Sequence, residues 1–334
     1  MSDANALQAS YLLHYTPWRD TSFIVDLFTL GQGRLGLMAK GARGGKARTR
    51  ALYQPFRPLL VSCHGDGELR TLTGIEESGP VVVLEGAALA CGYYLNELVL
   101  RLLGKEQPAP TLFAHYALAL AMLESGDGLE TTLRTFELQL LETVGVLPDL
   151  ARCTPDGTPI DAGRRYRFHP ANALAVPIDG AGIDGVAERG LAIPKRPDAG
   201  RAGEYGVHAD GVTLDEGVEL GGQTLLDMAA LTFEARTTRD EAKTLMRRLI
   251  AVQLGGKPLR SRSMFEALVP PPRLSKGSAD GATDGATDGT TDGTTDGTTD
   301  GATDGATDGA ADEAADEAAD ALASGAPADA GESA

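Results

Sequence analysis

The chain's hydrophobic period changes to helical near residue 87, and that switch points to a β-rich unit followed by a helical one. Before the switch come five short β-rich runs separated by turn residues. QASYLLHY leads into TPWRD, where Pro17 and Asp20 are expected to interrupt pairing. TSFIVDLFTL is apolar on both faces except at Asp26, and the turn Gly31-Gln32-Gly33 joins it to RLGLMAK. RPLLVSCH and ELRTLTGI follow, joined through Gly65-Asp66-Gly67. Five strands in so short a span point to a small antiparallel barrel, most economically of the OB type, which commonly binds single-stranded nucleic acid.

After the switch, ALACGYYLNELVLRLLG puts Leu95, Leu98, Val99 and Leu102 on one stripe. TLFAHYALALAMLES is expected to start with Thr111 as its N-cap. LETTLRTFELQLLETVG carries Leu129, Leu133, Phe136, Leu140 and Val144 at helical spacing and is expected to stop at Pro148. ARCTPDGTPIDAGRRYRFHP reads as an irregular β insert, and residues 171–222 read as loops with a weak hairpin. Helical period returns in GQTLLDMAALTF and in RDEAKTLMRRLIAVQLGG. The predicted fold class is α+β and multidomain. A five-stranded OB-type barrel occupies 1–80, an α-helical domain occupies 81–276 with its small β insert at about 149–222, and an acidic tail fills 277–334.

That tail distorts the overall charge. The chain has a formal net charge of −17, but residues 277–334 hold fifteen acidic side chains and no basic one. Residues 1–276 carry 32 acidic and 30 basic side chains, a net of −2. Aspartate recurs every four residues from Asp280 to Asp320 in GATD, GTTD and AADE units, which lack the apolar groups needed to offset the entropy of ordering. The tail is therefore expected to be disordered and solvated. Weak electrostatic competition for the chain's own cations is the second reading.

The cations are gathered in patches. Arg34 to Arg57 holds Arg34, Lys40, Arg43, Lys46, Arg48, Arg50 and Arg57 with no carboxylate among them. Between Gly41 and Arg50 the composition is nearly all Gly, Ala, Lys, Arg and Thr, which is expected to form a loop rather than core. Closely spaced cations on such a loop suit a polyanion backbone, because they follow phosphates without demanding a fixed shape. Arg19 and Trp18, in the expected first turn, are added to the candidates. Of the aromatics Tyr15, Trp18, Phe28, Tyr53 and Phe56, most are expected in the core, and Trp18 alone suits a surface role. A second basic stretch, 239–276, places Lys243, Arg247 and Arg248 together on a helix.

Catalysis finds no footing. There is no GxxxxGK[ST], HExxH or GxSxG, and GQGRLG joins two strands instead of opening a helix, so it fails as a dinucleotide motif. The five histidines are scattered. Cys63, Cys91 and Cys153 lack paired spacing, which fits a reducing compartment. With no long apolar run and no signal-peptide pattern, a soluble intracellular protein is expected.

Several blocks together resemble the bacterial recombination mediator RecO family. They are YTPWRDTSFIVDLFTLGQGRLGLMAKGAR, LYQPFRPLL, FELQLLETVGVLPDLARC, RYRFHP and LGGKPLRSRSMF, which occur in the family's order across most of residues 8–268. The resemblance implies a non-enzymatic DNA repair protein of the cytoplasm, associated with the nucleoid. It implies binding to single- and double-stranded DNA, annealing of single strands, partnership with RecR, and help in loading RecA onto DNA coated by single-strand binding protein. It also implies that the helical domain takes the acidic C-terminal tail of that protein, with Arg134 as the carried-over position and Arg101 as the weaker one. Either arginine has a structural alternative, an ion pair with a helical glutamate such as Glu97 or Glu137. Some family members hold zinc in the insert. Here only Cys153 remains, and Asp156 stands where a Cys-x-x-Cys pair would end, so no metal or other cofactor is expected. Two alternatives stay open, an RNA-binding OB protein and a small cysteine- or zinc-dependent hydrolase.

Overall fold

The computed structural model describes residues 7–44, 47–65, 69–178 and 217–261, with backbone alone for Ala47 and Arg48. The disorder expected for 277–334 falls outside these residues.

Strands β1 (Gln8–Trp18), β2 (Ser22–Thr29), β3 (Gly33–Ala39), β4 (Pro58–His64) and β5 (Arg70–Glu77) form a closed barrel in the order β1-β2-β3-β5-β4. The β3–β5 pair is parallel and the others are antiparallel. The five-stranded OB-type barrel read from the sequence is thus what forms. Alternation builds it: Leu12, Val25, Leu27, Leu35, Leu37, Leu59 and Val61 point into the barrel. The opposite face of β1 and β2 is apolar for a different reason, since Tyr11, Leu13 and Phe28 pack into the helical core.

Pro17 does not interrupt pairing as expected, because it lies within β1 opposite Phe23. β4 pairs with β1 only from Gln8 to Tyr11, so Pro17 sits where β1 has an open edge and a missing N–H removes no ladder bond. The segment after β3 is not a bare loop either. Ala42, Tyr53 and Phe56 are buried, and the backbone makes a short helix α1 (Ala47–Arg50) between them.

Helices α2 (Gly86–Leu102), α3 (Pro110–Ser125) and α4 (Leu129–Thr143) form the layer against the barrel. The α2 stripe of Leu95, Leu98, Val99 and Leu102 is buried as its spacing predicts. Thr111 is not the cap of α3. The helix opens at Pro110 behind Ala109, a position where proline's missing N–H costs nothing. α4 stops before Pro148: Gly145 adopts φ 72° and donates its N–H to Glu142 O.

Barrel and helices share one core. Tyr11 lies 5.5 Å from Phe113 and 5.1 Å from Tyr116 between ring centroids, and Phe28 meets the same two rings. Asn96 donates to Leu13 O at 3.0 Å and accepts from the Tyr116 hydroxyl, which satisfies the polar groups at this junction. At the opening of β3, a Cβ on Gly33 would fall 1.8 Å from Gln107 O, so only glycine lets the α2–α3 connection lie against the barrel.

In the insert, β6 (Arg165–His169) pairs with β7 (Leu174–Pro177) on one side and β8 (Val218–Gly221) on the other. Both strands dock on β6, and most of the segment read as loops with a weak hairpin, residues 179–216, lies outside the described residues. Helices α5 (Gly222–Ala229) and α6 (Arg236–Gln253) complete the described fold. None of the described helices is long and apolar enough to cross a membrane.

Candidate nucleic-acid interface

The β1–β2 pair continues past the part of β1 that β4 covers and becomes an arm. From His14 to Trp18 every residue of β1 is exposed, and the turn at residues 19–21 closes the arm with Arg19 at φ 51°. The β2–β3 pairing sets Phe23 opposite Ala39, so β3 ends beside the tip of this arm. The segment that follows is laced onto it. Arg43 N–H donates to Thr21 O at 2.8 Å and Arg43 Nη1 donates to Arg19 O at 2.7 Å, while Ala42 is buried in the barrel core. The topology therefore gathers Arg19, Lys40 and Arg43 along one rim, and Arg50 ends α1 in the segment that follows; all four are exposed. Among the described residues none of the four pairs with a carboxylate. Open cations gathered this way hold a positive potential available to phosphate oxygens.

The other cations singled out in the sequence divide differently. Lys46 and the Arg48 side chain lie outside the described residues. Arg34 sits at the start of β3, the end away from Lys40. It is half-buried, diagonal to Asp26 across the β2–β3 pair, and its Nε has no partner. Burial pulls its pKa down while Asp26 works against that shift. Arg57 is half-buried and ion-paired with Glu77. Lys243, Arg247 and Arg248 on α6 are half-buried and each already makes a polar or electrostatic contact, so they are not an open patch.

The two arginines of the helical layer are both built in. Arg134 on α4 is only 7% exposed and pairs at 3.0 Å with Glu137, which is 0% exposed. Tyr94 on α2 donates to the same carboxylate at 2.6 Å. The glutamate pairing anticipated from spacing is there, but in the interior rather than on a helix surface. Arg134 Nε and Nη1 remain buried without partners. Burial pushes the Glu137 carboxyl up, opposed by Arg134, by Tyr94 and by Arg247. Arg101 on α2 pairs with Glu97 at 3.2 Å and donates to Pro258 O at 2.6 Å and Lys257 O at 3.2 Å. Glu97 in turn accepts from the backbone N–H groups of Arg260 and Ser261, so this pair clamps residues 257–261 to the helical layer.

Among the aromatics, Phe28, Tyr53 and Phe56 are buried, whereas Trp18 is 41% and Tyr15 40% exposed. Tyr15, named among the candidate aromatics, is exposed and not in the core where most of them were expected. Its exposure depends on how far β4 reaches along β1, and no local pattern encodes that. The described part of the insert, residues 149–178 and 217–222, presents no tetrahedral donor set. Asp156 Oδ1 accepts from Thr158 N–H and Thr158 Oγ1 in a closed turn, and burial pushes the Cys153 thiol up to about 11. Among the described residues no three His, Cys, Asp or Glu side chains converge.

Comparison with known proteins is consistent along the chain. The family described as Recombination protein O N terminal matches residues 1–80, and Recombination protein O C terminal matches residues 84–180. A DNA repair protein RecO of Methylococcus capsulatus is 41% identical over 262 residues, covering 78% of this chain and 93% of that protein. One from Azoarcus sp. is 37% identical, covering 78% of this chain and 96% of the relative. One from Haemophilus influenzae is 33% identical over 259 residues, covering 78% and 95%.

Proposed function

Because this chain belongs to the RecO family of DNA repair proteins, we propose that the rim of Arg19, Lys40, Arg43 and Arg50 is where it holds DNA during recombinational repair. The observation that carries this is the lacing of Arg43 onto the arm, which brings it to Arg19 beside the end of β3 with no carboxylate paired to either among the described residues. Phosphates bound there release counterions, which gives affinity for single and double strands with little sequence preference. Lys46 and Arg48 belong to the same basic run of sequence.

Annealing follows from charge neutralisation alone. Two strands lying along one cationic rim repel less, and their bases stay free to pair. No bond is made or broken in the protein, so no catalytic group is needed. The family's further roles are proposed with it: partnership with RecR, delivery of RecA, and contact with the acidic tail of single-strand binding protein. For that tail Arg134 is the anchor, because its Nε and Nη1 are the donors left without partners on α4. A strand-annealing assay tests the reading, run with naked strands and with strands coated by single-strand binding protein. Replacing Arg19, Lys40, Arg43 and Arg50 by Ala should abolish annealing in both, while Arg134→Lys, which keeps a charge for Glu137 but not the forked donors, should lose only the reaction on coated strands. Unchanged annealing by the rim variant would overturn the proposal.

A further inference from the structure

We infer that Trp18, at the tip of the β1–β2 arm, stacks on unpaired nucleobases and gives the rim its preference for single strands. The inference rests on the rim as the phosphate-binding surface. Trp18 is 41% exposed, and among the described residues its indole has no ring contact, hydrogen bond or ion pair. The other exposed aromatic of the arm differs. Tyr15 lies 5.0 Å from Phe23, which lies 5.6 Å from Tyr53, so its ring is backed by the barrel. Trp18 is therefore the exposed aromatic of the arm with no ring contact among the described residues, and it adjoins Arg19, the residue whose carbonyl anchors Arg43. A cation that takes a phosphate and an indole that takes the base of the same strand is the pairing used by single-strand binding surfaces. A duplex keeps its bases stacked inside, so it meets the cations but has no face to offer the indole.

The open edge of β1 offers a second occupant, an extended peptide adding a strand, and Pro17 argues against it. Pro17 pairs with Phe23 of β2 and has no N–H, so its nitrogen faces the open edge at the point where strand addition would need a donor. The ligand class that remains is the unpaired base of a polyanionic strand.

Trp18 is the chain's only tryptophan, so intrinsic emission reports this one position. The full-length protein is titrated with oligothymidylate and with a blunt duplex of equal length, at matched occupancy measured by anisotropy of the labelled DNA. Oligothymidylate should quench Trp18 and the duplex should leave its emission nearly unchanged. Trp18→Ala should weaken single-strand binding about tenfold, the loss of one base–aromatic stack, without altering the salt slope or duplex affinity. Trp18→Phe should restore most of it, and thermal melts confirm that both variants fold. Binding with a normal salt slope and no quenching sinks the stacking inference alone, as does equal loss on both DNAs or quenching by an acidic peptide instead of oligothymidylate. Absence of any oligothymidylate binding would sink the rim reading as well.

Discussion

The barrel rim and the helical layer hold arginines that look alike in sequence and differ completely in setting. Arg19, Arg43 and Arg50 are exposed and meet no carboxylate among the described residues, whereas Arg134 and Arg101 are each fixed by a glutamate and by neighbouring backbone or helices. The difference lies in what covers each residue. The rim sits at the tip of an arm that β4 does not reach, and α4 is covered by α2 and α6. Binding function is available where a charge is unpaired, and where it is paired and buried the same residue serves the fold. Arg134 sits between these cases, since one edge of its guanidinium is paired and the other is not.

The largest expected effect tests the buried side. Glu137→Ala removes the carboxylate paired with the buried Arg134 guanidinium, which should cost about 3–5 kcal/mol of stability by denaturant unfolding. A loss below about 1 kcal/mol, the range of exposed pairs, would mean that Arg134 swings freely into water and the contrast with the rim fails. Next comes the rim itself. Replacing its four cations together should cost no more than about 1 kcal/mol, the worth of the one exposed hydrogen bond lost, from Arg43 Nη1 to Arg19 O. It should flatten the salt dependence of single-strand binding by about 0.7 for each phosphate the variant no longer neutralises. A melting point that falls while the salt slope holds would reverse the assignment.

The clamp at Glu97 makes a smaller prediction with a pH signature. Burial acts to raise the Glu97 carboxyl, but the N–H groups of Arg260 and Ser261 and the Arg101 guanidinium outweigh it and hold its pKa below the usual 4.5. A carboxylate depressed by folding contributes its stability fully above the unfolded value and loses it as pH falls through the folded one. Glu97→Ala should therefore cost about 2 kcal/mol near neutrality, and the gap to the parent protein should narrow as pH drops below about 4.5. A gap independent of pH would show that Glu97 acts by packing and not by its charge.

How much of this was legible in the sequence follows from the range of each signal. Period-2 and period-3.6 patterns are local, so the five strands and the stripes of α2 and α4 were readable. Turn and cap chemistry was readable only in part. Pro17 reads as a strand breaker until β4 is seen to stop at Tyr11, and Pro148 reads as the stop of α4 until Gly145 is seen to turn three residues earlier. The candidate site split the same way. The cation cluster was visible as composition, but which members are open was not, because Arg57 meets Glu77 from another strand and Arg34 is shaded by its neighbours on the barrel. Arg134 and Glu137 are three apart on a helix, which reads as a surface pair unless one knows that Tyr94 arrives from α2. Pairing and burial are tertiary facts, and no window of sequence holds them.

The smallest expected effect comes from carboxylates outside both regions. Residues 277–334 carry fifteen acidic side chains on the same chain as the rim, so they are candidates to pair its cations. Pairs between exposed groups are worth about 0–1 kcal/mol, and at physiological salt the Debye length of about 8 Å screens them further. A DNA strand holds phosphates at closer and more regular spacing than one aspartate in every four residues, so it should displace such pairs readily. Truncation at Lys276 should accordingly change single-strand affinity less than about twofold at physiological salt, leaving the tail as a solvated appendage. If the truncated chain instead binds much tighter at low salt and the gap closes as salt rises, the rim is not open in the full chain. The contrast between free and paired cations would then be one the tail can switch.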